Sequence, residues 1–322
     1  IDIELEIPKP THRDILVKIE AVSVNPVDTK VRSPKPKIED SPRVLGWDAC
    51  GTVVSVGEGV TLFSQGDRVF YAGDITRSGS NCEFQLVDER IAGHAPKSLS
   101  NEQAAAIPLT TLTAWEAIVD RLGVSLDGHI SSQLSLQEQP LDTKTLLVIG
   151  GAGGVGSMAI QIASKIAGLR VIASASKPES VAWCESLGAD HVINHYHEIS
   201  TQLSDLGTSQ CDYILCCNNT DMHFDAMVEV IKPQGKICSI VDNTQALALE
   251  RLKPKSVSFV WEFMFTRAMF NTDDMIEQHH ILNETSRLLD EGVFKTTLKE
   301  TLSPINAENM RTAHEKIEQG NM

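Results

Sequence analysis

Thr145-Leu-Leu-Val-Ile-Gly-Gly-Ala-Gly-Gly-Val-Gly156 runs an apolar stretch straight into a glycine-dense turn. Met158, Ala159, Ile162, Ala163 and Ile166 follow at helical spacing, so the segment reads as strand, tight turn and helix. Gly151, Gly153 and Gly156 fit G-x-G-x-x-G, with Gly154 and Val155 inside the turn. The first glycine is expected to permit the turn. The second lets the backbone approach a pyrophosphate, and the third lets helix and strand pack closely. The phosphates then sit at the positive N-terminus of the helix. Flanked by a strand and a helix, the motif points to dinucleotide binding rather than to a structural turn alone.

The pattern continues outward from that turn. Strands are expected at 145–149, 170–174, 212–216, 235–241 and 256–260, with helices at about 154–167, 178–187 and 222–231. Such alternation predicts a doubly wound parallel sheet with helices on both faces. Helices at 273–291 and 306–319 follow. Residues 1–100 read as β-rich, with strands over 15–24, 46–56 and 67–71. Residues 101–121 read as helical, with Asn101 as N-cap, and 124–144 as an exposed polar loop.

The 322 residues leave room for two domains. A formal charge of −15 opposes binding to nucleic acid. No apolar run approaches the roughly 20 residues that span a bilayer, so no membrane association is expected. The seven cysteines are odd in number and scattered without C-x-x-C spacing, which favours reduced thiols over a disulfide framework or structural zinc. With no signal-peptide pattern in the opening residues, the expected location is cytoplasmic.

Enzymes that bind NAD on such a sheet commonly place a carboxylate at the end of the second strand, for the ribose hydroxyls. Here Ser174-Ala175-Ser176-Lys177 follows that strand, and no carboxylate occurs before Glu179. Ser176 and Glu179 have the spacing of a capping box, with Pro178 in the first turn. Ser174, Ser176 and Lys177 suit a 2′-phosphate, which needs donors and positive charge, so NADP(H) is favoured over NAD(H). For Lys177 a solvated surface role stays open.

Further stretches join the glycine motif: 21–28 (AVSVNPVD), 45–48 (LGWD), 66–69 (GDRV), 108–115 (PLTTLTAW), 71–76 (YAGDIT) and 259–267 (FVWEFMFTR). Together they make the chain similar to the medium-chain dehydrogenase/reductase superfamily. Within it, the chain most resembles the zinc-type alcohol dehydrogenase-like branch, close to NADPH:quinone oxidoreductases. The resemblance covers nearly the whole chain except 124–144. It implies a GroES-like β-rich catalytic domain from residues 1–114 and 266–322, and a Rossmann NADP(H)-binding domain over 115–265. It also implies a homodimer joined through the last strand of the parallel sheet.

Zinc-dependent members of that superfamily carry a Cys where this chain has Asn25 and a His where it has Trp47. Their third ligand falls near Leu109 or Thr110. None of these side chains replaces a thiolate or imidazole, so no metal is expected. The resemblance places Asn25 where substrate meets nicotinamide, so its amide could donate to a developing oxyanion or merely cap a loop. Lys30 could supply charge or a proton, or be a surface lysine. Tyr71 could donate a proton or simply pack. Thr113 matches a position near the nicotinamide ribose, Asn218 and Thr220 follow the fourth strand beside the cofactor, and His195 lies near the adenosine phosphate. Trp47, Trp261 and Phe265 are candidates for the walls of the substrate pocket.

The expected activity is NADPH-dependent hydride transfer to a quinone or α,β-unsaturated carbonyl, acceptors electrophilic enough to need no metal. The rivals are a zinc-dependent alcohol dehydrogenase and a non-enzymatic NADPH-binding scaffold.

Overall fold

From Val17 to Ala21 buried and exposed side chains alternate, and Asp14–Ser23 forms strand β1 of the computed structural model, which describes residues 1–34, 42–126 and 143–320. β1 pairs antiparallel with β2 (Asp48–Val56) and with β4 (Phe84–Asp88). With β3 (Arg68–Tyr71) and β5 (Ala92–His94) the sheet runs β4-β1-β2-β3-β5. Its core includes Ile15, Val17, Ala49, Val53, Val69 and Tyr71. This sheet belongs to the first of two units, Ile1–Leu112 with Met264–Met322; the second is Thr113–Phe263.

Among the described residues three α-helices precede the parallel sheet: α1 (Pro26–Arg32), α2 (Asn101–Ala105) and α3 (Pro108–Trp115). The single helix expected over 101–121 is broken, because Pro108 has no N–H to continue the ladder. A π-helical turn, Glu116–Arg121, follows α3. The N-cap of α2 is Ser100 rather than Asn101: Gln103 N donates to Ser100 Oγ, and Asn101 Oδ1 instead accepts from Arg68 Nε at 2.6 Å. Most of the loop expected over 124–144 lies outside the described residues.

The second unit holds six parallel strands: β6 (Thr145–Ile149), β7 (Arg170–Ser174), β8 (His191–Ile193), β9 (Cys211–Cys216), β10 (Ile231–Ser239) and β11 (Ser258–Trp261). Every residue of β6 is buried, as expected for a strand covered on both faces. The connecting helices are α4 (Gly154–Lys165), α5 (Pro178–Leu187), α6 (Ile199–Asp205) and α7 (Thr220–Val230). The order is β11-β10-β9-β6-β7-β8. The chain winds from β6 to β8, then returns to β9 on the other side of β6, so the order reverses between β6 and β9. That reversal is where open α/β sheets bind ligands. β8 and α6 were not expected from the sequence.

Helices α8 (Thr266–Phe270), α9 (Glu277–Asp290) and α10 (Ala307–Glu318) complete the first unit. α9 covers β5: His279 Nδ1 bonds Ala92 O at 2.7 Å and Asn283 Oδ1 accepts from His94 N at 2.9 Å. α10 lies along α1, tied by the Arg32–Glu318 ion pair. Among the described residues no helix is long and apolar enough to cross a membrane.

Candidate active site

In the second unit the loops after β6 and β9 meet at the reversal. Cys217 N donates to Ile149 O at 2.9 Å, and a Cβ placed on Gly150 would lie 3.2 Å from the Cβ of Asn218. The residue that permits the turn is Gly150, at φ +85°, and not Gly151 as the motif suggested. Gly151 is needed for packing, since a Cβ there would stand 2.8 Å from Ala173 Cβ. At Gly156 an added Cβ would meet Gly150 O at 2.3 Å, which agrees with close packing of helix on turn.

Gly153 differs from both. A Cβ there would find only Gly150 O, at 3.5 Å. Among the described residues no packing demands glycine at this position. Gly153 is the N-cap of α4 and supplies no side-chain cap, and Gly153 and Gly154 are exposed with Val155 half-buried behind them. The first turn of α4 carries no acidic residue, so its amide groups present an uncancelled positive end.

The remaining cofactor candidates divide. Ser176 is half-buried and Lys177 exposed at the start of α5, and Asn218 is exposed beside Gly150. The expected Ser176–Glu179 capping box does not form, because α5 begins one residue later with Lys177 as N-cap. Ser174 is buried and braces the turn instead of facing outward: its Oγ accepts from Gly150 N at 3.0 Å, and its carbonyl accepts from Gly151 N at 3.0 Å. Thr220 is likewise committed internally, donating to Val241 O at 2.6 Å. The His195 ring meets that of Tyr196 at a tilt, with centroids 4.6 Å apart, its Nδ1 lacks a hydrogen-bond partner among the described residues, and burial lowers its pKa. Thr113 is buried on α3.

In the first unit Asn25 is buried immediately before α1 and donates its side-chain amide to Asp48 Oδ2 at 2.8 Å. The other oxygen, Asp48 Oδ1, accepts from Leu109 N at 2.8 Å. Asn25 N donates to Asp28 Oδ2 at 2.7 Å. Burial pushes Asp28 up to about 6 against the pull of its backbone N–H donors, and holds Asp48 well above the usual carboxylate range. Lys30 is exposed on α1.

Two expectations change here. Tyr71 is wholly buried in the sheet core and its hydroxyl donates to Gln85 Oε1 at 2.9 Å, with its pKa raised by burial. That is a packing residue, not an acid at a surface. Trp47 and Phe265 form a buried edge-to-face pair, centroids 6.1 Å apart, so they fill the core rather than wall a pocket. Trp261 lies in the other unit, half-exposed on β11 against Phe259.

The resemblance to zinc-dependent dehydrogenases implies zinc, and the residues at the matching positions do not fit it. Asn25, Trp47, Leu109 and Thr110 offer no thiolate, imidazole or carboxylate. Among the described residues no group of three or more His, Cys, Asp or Glu side chains could hold a metal ion. His279 is spent on Ala92 O and Asn283, and His280 faces Glu277.

The sequence matches the family described as "Alcohol dehydrogenase GroES-like domain" over residues 11–100 and "Zinc-binding dehydrogenase" over 154–277. It is 43% identical over 315 residues to a zinc-type alcohol dehydrogenase-like protein of Staphylococcus aureus, spanning 98% of this chain and 90% of that one. An NADPH-dependent alkenal/one oxidoreductase of Arabidopsis thaliana is 32% identical over 249 residues, 74% of this chain and 58% of its own. The crystal structure of a putative zinc-dependent alcohol dehydrogenase from Rhizobium etli superposes with a TM-score of 0.92 at 48% identity, covering 100% of this chain and 90% of that one. The GroES-like unit, the parallel-sheet unit and these relatives agree: the chain belongs to the medium-chain dehydrogenase/reductase superfamily of oxidoreductases, in its zinc-type alcohol dehydrogenase-like and quinone oxidoreductase branch.

Proposed function

We propose that this oxidoreductase uses NADPH to reduce a quinone or an α,β-unsaturated carbonyl without a metal. The observation that supports the reading is the side-chain chemistry of Asn25, Trp47, Leu109 and Thr110, which offers zinc no ligand, and the open helix N-terminus at Gly153 suits a phosphate. An enone or quinone suits such a site, because the charge that hydride addition creates spreads onto a remote oxygen. The Arabidopsis relative, whose name gives NADPH and alkenal/one substrates, supports the same class.

Bound NADPH supplies the hydride. The amides at Gly153, Gly154 and Val155 would hold the pyrophosphate, Ser176 and Lys177 would meet the 2′-phosphate, and Asn218, Thr113 and His195 would line the remainder of the nucleotide. Ser174 and Thr220 hold the loops in place from behind. Asn25 donates to the substrate oxygen as it becomes negative, and Lys30 on the same helix adds positive charge. The working enzyme is a cytoplasmic homodimer paired through β11, one of the two edge strands of the parallel sheet.

NADPH oxidation measured against a panel of quinones and enones, before and after a chelator, with zinc determined by elemental analysis, tests the reading. Turnover that survives chelation, with well under one zinc per chain, is expected. Activity on alcohols that is lost on chelation would make this a zinc enzyme. Tight NADPH binding with no turnover on any acceptor would make it a scaffold.

A further inference from the structure

Three chain segments converge on one buried carboxylate. Asn25, the N-cap of α1, gives its side-chain amide to Asp48 Oδ2, and Leu109, in the first turn of α3, gives its backbone N–H to Asp48 Oδ1, both at 2.8 Å. The donors lie 23 and 61 positions from Asp48 in sequence. Asp48 itself opens β2 and has no exposed surface. A carboxyl in such a place is costly to bury. The groups that act on it are Asn25, the Leu109 amide and Asp28, and none of these is a cation. The cost is offset by what the carboxyl ties together.

We propose that Asp48 is a positioning residue that fixes the Asn25 amide, and so replaces with hydrogen bonds the cross-link that a metal would make between these three segments. One amide hydrogen of Asn25 is spent on Asp48 Oδ2. The orientation of the second hydrogen is thereby set, and it is the one left to meet a substrate oxygen. Asp48 Oδ1 at the same time holds the start of α3, where a carboxylate also complements the helix dipole. The inference rests on Asn25 being the substrate-facing amide of the function proposed above.

The test is a double-mutant cycle on the full chain with Asn25→Ala and Asp48→Asn, read as kcat and KM for NADPH-driven reduction of an enone. Asp48→Asn keeps the size of the side chain and removes one acceptor. It is expected to lower kcat roughly 10- to 100-fold while KM for NADPH stays unchanged. The double variant is expected to be no slower than Asn25→Ala alone. Losses that multiply in the double variant, or wild-type kcat in Asp48→Asn, would overturn the proposal. Should Asp48→Asn not fold, Asp48→Glu keeps both acceptors on a longer stem and should show the same non-additivity. If the unmodified protein turns over no acceptor, the proposed function fails, and the tie is then read directly. The Asn25 side-chain amide resonances should be protected from exchange in the unmodified protein and lose that protection in Asp48→Asn; no change would refute the tie.

Discussion

Arg121 Nε lies 2.8 Å from Glu262 Oε2, joining the π-helical turn to the residue that follows β11. Glu116, on the same turn, adds a second buried carboxyl 4.0 Å from the Arg121 guanidinium. Two acids therefore share one half-exposed arginine. Burial, then the nearby Glu116, pushes Glu262 up to about 8 despite Arg121.

That shift has a sign. The folded protein keeps a proton on Glu262 at pH values where the unfolded chain has released it. Stability therefore falls as pH rises from 4.5 towards 8. Glu262→Gln stays neutral, so the variant should lose less stability across that range than the unmodified protein. The difference should be of order 1–3 kcal/mol, with about 2–4 °C in melting temperature per kcal/mol. Melting curves at pH 5.5 and 8 check this, and equal slopes for both proteins would contradict it.

Gly153 and Gly156 should respond differently to a side chain. Gly153→Val has space, so stability should change by under about 1 kcal/mol while NADPH affinity drops roughly tenfold or more. Gly156→Ala drives a Cβ to 2.3 Å from Gly150 O, so it should destabilise the fold itself. Thermal melting and a fluorescence titration with NADPH separate the two effects. Unaltered NADPH affinity in Gly153→Val would remove the cradle from the proposed site.

Lys177 is exposed at the head of α5. Lys177→Glu should weaken NADPH binding far more than NADH binding, by about 2 kcal/mol, because repulsion replaces a charge-assisted contact with the 2′-phosphate. Parallel titrations with the two nucleotides decide it, and equal losses would leave Lys177 as an ordinary surface lysine.

β11 ends its sheet with one free edge and carries half-exposed Trp261. Strand-to-strand pairing about a two-fold axis closes such an assembly at two copies. Glu262 N donates to Ser239 O on β10, so the alternating N–H groups of Phe259 and Trp261 face the outer edge, and Trp261→Pro should weaken the dimer by removing an edge donor. Light scattering at micromolar concentration should give a dimer for the unmodified protein; a monomer there would refute the pairing.

The parallel sheet was legible in the sequence because strands covered on both faces are continuous apolar runs, as Thr145–Ile149 and Arg170–Ser174 are. β8 escaped because three residues, His191–Ile193, are too few to display any period. The glycine motif was readable as a motif, but the division of labour within it was not. Gly150, Gly151 and Gly153 look alike on paper and differ only in φ and in what surrounds them. Asp48 was visible as an acid, yet its significance depends on a main-chain donor 61 residues away, and a backbone N–H leaves no mark in a sequence. Tyr71 misled for the opposite reason: a tyrosine at a strand end carries a hydroxyl whichever way it points, and here it points to Gln85.

In sequence the β-rich unit is made of two stretches, Ile1–Leu112 and Met264–Met322, whereas the parallel-sheet unit is one uninterrupted stretch, Thr113–Phe263. During synthesis from the N-terminus, that stretch has all its strands in hand before α8 exists. The first unit must wait: β5 needs α9, whose Asn283 bonds a residue 189 positions earlier, and α1 needs α10. Until Met264 and the residues after it emerge, the face of β5 that α9 will cover stays bare. The face of β5 is therefore made early and covered late, and folding of the β-rich unit is timed by the arrival of α9 and α10.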